Sequence, residues 1–143
     1  APLMPRAVPG ATLHAELAAL YARVDAEIAA ANPRCELSGR CCDFPRSGQR
    51  LFATDLEAAH AAAVAGGVPA APSGLCPGWV DGRCANRAGR PLGCRVYFCD
   101  PAWEPAMSAV YERWHAELQT LHARHGLPYR YAEFVRSVRE LPA

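Results

Sequence analysis

At 143 residues the chain suits one domain and can bury a sizeable core. Apolar residues make up 51% and charged residues 20%, which excludes a disordered chain, and a formal net charge of +1 disfavours nucleic acid held by bulk electrostatics. All 15 basic residues are arginine, so a Schiff-base lysine and a lysine-dependent phosphate loop are both excluded in this chain.

Residues 1–11 form the expected extended arm, with Pro2, Pro5 and Pro9 in its first ten positions. Residues 12–143 are expected to form a single metal-binding domain. From Thr12, the apolar positions Leu13, Leu17, Leu20, Val24 and Ile28 recur at helical spacing, and Asn32-Pro33 stops that helix just before Cys35. "TDLE" at 54–57 has the form of a capping box in which Thr54 caps and Glu57 reaches back to it. A short alanine-rich helix follows and ends near Gly66-Gly67. Residues 68–75 are a linker, and "WVDGRC" at 79–84 predicts a hairpin turning at Asp81-Gly82. The stretch through Pro91 and Gly93 is expected to be irregular. Pro105 opens a third helix whose apolar face is Met107, Val110, Trp114, Leu118 and Leu121, and Gly126 with Pro128 ends it. A last short helix carries Phe134, Val138 and Leu141. The fold class expected is mainly α, a small helical domain with irregular Cys-rich loops, one short hairpin and C-terminal helices within 104–143.

All seven cysteines lie between 35 and 99. No stretch of the chain approaches the apolar length that spans a bilayer, and "APLMPRAVPGATL" lacks the apolar core of a signal peptide. The expected location is therefore cytoplasmic, with no membrane partner, and in a reducing compartment clustered thiols point to metal rather than disulfides. The candidate ligands are Cys35, Cys41, Cys42, Cys76, Cys84, Cys94 and Cys99. Segments rich in Gly, Pro and Arg bury little apolar surface and need such a staple. On extended backbone successive side chains point oppositely, so Cys41 and Cys42 converge on one metal only if the chain bends sharply there. Otherwise they serve different metals, or only one is a ligand. There is no CxxC pair and no histidine within either cysteine group, so the spacing matches neither common zinc fingers nor ferredoxins. A 4Fe–4S cluster would use four thiolates, whereas two tetrahedral zinc ions sharing one thiolate would use all seven.

The pattern resembles the YkgJ-like cysteine-cluster family of zinc- or iron-chelating domains. Its signature CxxCGxCC corresponds to Cys35-Glu-Leu-Ser38-Gly39-Arg-Cys41-Cys42. Its later part corresponds to Cys76-Pro77, Gly82-Arg83-Cys84 and Arg90-Pro91-Leu-Gly-Cys94-Arg95-Val-Tyr-Phe-Cys99. The resemblance spans roughly 35–100, under half of the chain, and excludes the flanking helices. It implies metal binding without implying a reaction. Related domains occur in flagellin lysine-methylating enzymes associated with a 4Fe–4S cluster, which favours iron. Ser38 stands where the family often has its second cysteine. Cys99 is the candidate replacement, and without it the site is either incomplete or left with an open coordination position.

Arg83, Arg87, Arg90 and Arg95 surround the later cysteines, where they can offset thiolate charge, bind an anionic ligand or form an ordinary solvated loop. His122 and His125 are three apart and can share a helix face, with His115 nearby; His14 and His60 are isolated in sequence. Tyr97, Phe98, Trp103, Tyr111 and Trp114 read as core groups that shield the centre from water. Asp43 and Asp100 each follow a cysteine and suit turns or hydrogen bonds to ligands. No hydrolase or transferase signature is present. The expected function is a metal-binding protein carrying an iron–sulfur centre with a redox, sensing or accessory role toward an unknown protein or small-molecule partner. The alternatives are a zinc-stabilised binding module and a thiol-based metal carrier or sensor.

Overall fold

The computed structural model describes residues 10–33, 51–66, 79–80, 83–84, 87–98 and 100–140. It is mostly helical, as the sequence pattern predicts. Helix α1 (Ala11–Ala31) buries the expected stripe of Leu13, Leu17, Leu20, Val24 and Ile28, together with Tyr21. It ends where Asn32 takes the left-handed conformation at φ 50°, which asparagine tolerates better than most residues. Strand β1 (Phe52–Thr54) leads directly into α2 (Asp55–Ala65), which closes at Gly66 with φ 81°. The predicted hairpin is present as β2 (Trp79–Val80) and β3 (Arg83–Cys84), pairing Trp79 with Cys84 and Val80 with Arg83.

The stretch expected to be irregular is more ordered than its glycines and proline suggest. A 3-10 turn at Arg87–Gly89 leads into a short helix, α3 (Leu92–Val96). Pro91 suits the position before its first turn. Gly93 permits a close approach, because a Cβ there would lie 2.7 Å from Leu51 Cδ1. Helix α4 (Glu104–Arg124) carries proline in its first turn and buries Trp114, Leu118 and Leu121, with Met107 and Val110 partly buried beside them. The chain then turns at Gly126, φ 63°, and enters β4 (Tyr131–Glu133) and α5 (Phe134–Arg139).

Strands β1 and β4 pair antiparallel, with Phe52 opposite Glu133, Ala53 opposite Ala132 and Thr54 opposite Tyr131. Neither strand shows in the sequence pattern, since three residues are too few to display alternation. Helices α1 and α4 run antiparallel, as the surface pairs Glu16–Arg124, Arg23–Glu117 and Glu27–Arg113 record. These exposed pairs add little stability compared with the stripe beneath them.

Two cores result. The larger joins α1, α3 and α4 with Trp103 and takes in Leu56; the smaller consists of Ala53, Ala58, Ala61, Phe134 and Val138. Helix α2 lies between them, so it has no single apolar stripe. Leu56 and His60, one turn apart, face the larger core, while Ala58 and Ala61 face the smaller. Ala58 is fully buried, leaving no room for a longer side chain. Ala58→Leu should therefore cost about 1–3 kcal/mol by overpacking, measured as a lower urea midpoint with an unchanged slope.

Candidate metal centre

Cys94 sits in the middle of α3 and is half-buried. Cys84 belongs to β3. Cys35, Cys41, Cys42, Cys76 and Cys99 lie outside the described residues, as do Ser38 and Asp43. Among the described residues no three His, Cys, Asp or Glu side chains converge on a common point. The structure does show how the turn bearing Cys94 is held.

That turn is fixed by its neighbour. Arg95 is 5% exposed, and its guanidinium satisfies three oxygens from separate parts of the chain. Nη1 donates to Asp25 of α1 at 2.6 Å, Nε to the Arg90 carbonyl at 2.8 Å and Nη2 to the Ala88 carbonyl at 2.7 Å. Its carbon lies 4.0 Å from the centre of the Tyr21 ring. A planar fork with five donors over an aromatic face suits this set, and an ammonium cannot reproduce it. Arg95 is thus a structural clamp, its charge paired with Asp25; the reading of the four arginines as a common charge-balancing or anion-binding group does not hold for it.

Glu57 holds the same turn from the other side. Thr54 accepts from the Glu57 amide at 3.3 Å, which is half of the expected capping box. The Glu57 carboxyl is occupied elsewhere: it accepts from the Leu92 amide at 3.1 Å and so satisfies an orphan donor at the start of α3. Glu57 is 2% exposed, and burial pushes its carboxyl up to about 8, against the opposing effects of the Leu92 amide and Arg95. One turn later His60 is also buried, and burial, then His14 and Arg95, push it down to about 4. Both groups are therefore neutral in the folded protein at pH 7.

Asp100 serves the turn reading of the sequence: its side chain accepts from Ala102 and its carbonyl from Trp103 and Glu104, starting α4. Trp103 and Trp114 are buried as expected, and Trp103 Nε1 donates to the Val96 carbonyl at 2.8 Å, fixing the end of α3. Phe98 and Tyr111 pack partly buried against the larger core, and Tyr97 is half-buried.

The histidines depart from the sequence reading. His122 is 1% exposed and faces Tyr129, whereas His125 pairs with Glu16 of α1, so the two share no site. The ring that shares a face with His122 is His115, seven residues earlier; its Nε2 lies 2.6 Å from the Tyr129 hydroxyl. Burial pushes both His115 and His122 below their ordinary range. The hydroxyls of Tyr111 and Tyr131 meet at 2.6 Å beside them. His14 and His60, isolated in sequence, are brought into contact across α1 and α2. Only the stagger of two helices separated by the first cysteine segment reveals that meeting.

No family model, curated protein or solved structure matches the chain.

Two outcomes check this scaffold. Arg95→Lys should cost about 2–4 kcal/mol, because one ammonium cannot serve the Ala88 and Arg90 carbonyls and Asp25 in three directions, while the half-exposed Asp25→Asn should cost nearer 1 kcal/mol; urea unfolding distinguishes them. The second concerns pH. The unfolded Glu57 ionises near 4.5 and the folded one near 8, so its contribution is intact below 4.5 and declines as pH rises toward 8. The unfolded His60 titrates near 6.5 and the folded one near 4, so its contribution is intact above 6.5 and declines as pH falls toward 4. The two cancel between 4.5 and 6.5. His115 and His122, depressed by burial as well, add an acid-side loss, so wild-type stability should fall below pH 6.5 and also by about 1–2 kcal/mol from pH 6.5 to 8, and Glu57→Gln abolishes the alkaline loss.

Proposed function

We propose that the chain is a cysteine-cluster metalloprotein whose thiolates from Cys35, Cys41, Cys42, Cys76, Cys84, Cys94 and Cys99 hold an iron–sulfur centre, a 4Fe–4S cluster, in a redox, sensing or accessory role. The observation that carries this reading is the confinement of all seven cysteines to two short groups, 35–42 and 76–99, with no histidine inside either. A donor set of thiolates alone suits soft metal centres. The scaffold fits such a group: Cys94 is presented from a short turn clamped by Arg95 and capped by Glu57, so one ligand has a fixed backbone. Glu57 and His60 are neutral, Arg95 is paired, and Trp103 closes the end of α3, so this flank buries no unpaired charge beside Cys94. When bound, a cluster supplies one-electron chemistry or, at an iron lacking a cysteine, Lewis acidity. No helix among the described residues is long and apolar enough to cross a membrane, consistent with a role away from the bilayer.

Protein purified without oxygen should be brown, with roughly four iron and four acid-labile sulfide per chain. Cys94→Ser should lower iron content or shift the visible spectrum while far-ultraviolet circular dichroism stays the same. Zinc without sulfide would replace the cluster with a structural zinc module, and unchanged metal in every single Cys→Ser variant would remove the ligand assignment.

A further inference from the structure

Among the described residues, α1 and α2 meet through a pair of imidazole rings. His14 lies half-exposed in the first turn of α1, and His60 is 6% exposed in α2. Their Nδ1 atoms are 3.0 Å apart, and their ring centres 5.3 Å. The ring centres are farther apart than the nitrogens by close to two ring radii. Both nitrogens therefore lie near the line between the rings and meet head-on. Such a contact is attractive only with one proton in it, when one ring donates and the other offers its lone pair. With no proton two lone pairs face each other; with two, a pair of N–H groups and a pair of positive charges do.

We propose that His14 and His60 form a one-proton latch that holds α2 against α1 and releases it when both rings are protonated. The surroundings of His60 oppose that second charge. From α1, Tyr21 turns toward it at 5.7 Å, with a hydroxyl that burial keeps un-ionised. From its own helix, Glu57 is protonated and brings no negative charge. From α3, Arg95 brings a positive charge, and the Asp25 carboxylate nearest that arginine is bound to it. The second proton is thus accommodated only when His60 leaves its position and reaches water. The depressed titration of His60 agrees, keeping the latch shut through neutral pH.

The latch acts at a natural parting line. Helix α2 meets the larger core through Leu56, Glu57 and His60, and the smaller through Ala58 and Ala61. Released on one side, it stays attached on the other and moves with β1, β4 and α5. In sequence, β1 and α2 lie between the Cys35–Cys42 segment and Cys76, so the latch sits on the piece that connects them.

The test uses the full chain labelled with nitrogen-15. At pH 7 a coupling through the hydrogen bond should connect the two Nδ1 nuclei. On acidification toward pH 4 it should vanish in one step, and across that step the α2 amides should exchange about tenfold faster or more, after correction for intrinsic rates, while amides in the middle of α4 stay protected. His14→Asn changes the half-exposed partner and spares the buried one. It should remove the coupling and speed α2 exchange about tenfold already at pH 7, and His60→Gln should remove the acid step. The proposal is overturned by absence of the coupling at pH 7, by its loss without faster α2 exchange, or by an acid step that persists unchanged in His14→Asn.

Discussion

Much of this molecule depends on a single buried cation. Arg95 connects the middle of α1, the turn at Arg87–Gly89 and the short helix bearing Cys94, and it does so through directional hydrogen bonds rather than apolar contact. Burying a guanidinium carries a desolvation cost of several kcal/mol, recovered only when nearly every donor is matched and the counter-ion is close. Two backbone carbonyls, one carboxylate and one aromatic face meet that condition here. The same charge sets the electrostatics of its surroundings. It disfavours protonation of His60 and draws the carboxyl of Glu57 part of the way back toward ionisation.

The arrangement explains how a small irregular segment is positioned without a large core of its own. Helix α3 is too short to be stable alone. It is held from one side by the bond of its own Arg95 to Asp25 of α1 and from the other by Glu57 of α2, and Trp103 closes its end. Three polar contacts from three elements fix its position more narrowly than the apolar burial of Leu92 and Val96, which tolerates sliding. A metal ligand benefits from that precision, since bond lengths to a metal vary by only tenths of an ångström.

Long-range order was legible in the sequence wherever period and caps agree. The stripe from Leu13 to Ile28, the stop at Asn32, the Thr54 cap, the Gly66 terminus and the face of α4 all follow from local rules, and Asp81-Gly82 marked the hairpin. What escaped was decided by partners distant in the chain. Glu57 follows its threonine as a capping residue should, yet it serves Leu92, thirty-five positions away. Arg95 resembles its neighbours Arg83, Arg87 and Arg90 in sequence, and nothing local announces its contacts with Asp25 and Tyr21. His115 and His122 sit at a seven-residue interval on a helix whose apolar stripe gives no sign that the rings are buried too. For the candidate centre, the sequence supplied the donors and their family resemblance, and the structure adds the support behind one of them.

The pairing of β1 with β4 has a consequence for the order of events during synthesis. Phe52 and Glu133 become neighbours only after Glu133 has been made, a separation of about eighty residues, whose closure entropy must be met before the strand contacts return anything. The first cysteine segment leaves the ribosome long before that closure. Helix α4, antiparallel to α1, also arrives late. The thiols of Cys35, Cys41 and Cys42 are therefore made, and open to the cell, before the partners of α1 and β1 exist to close the fold.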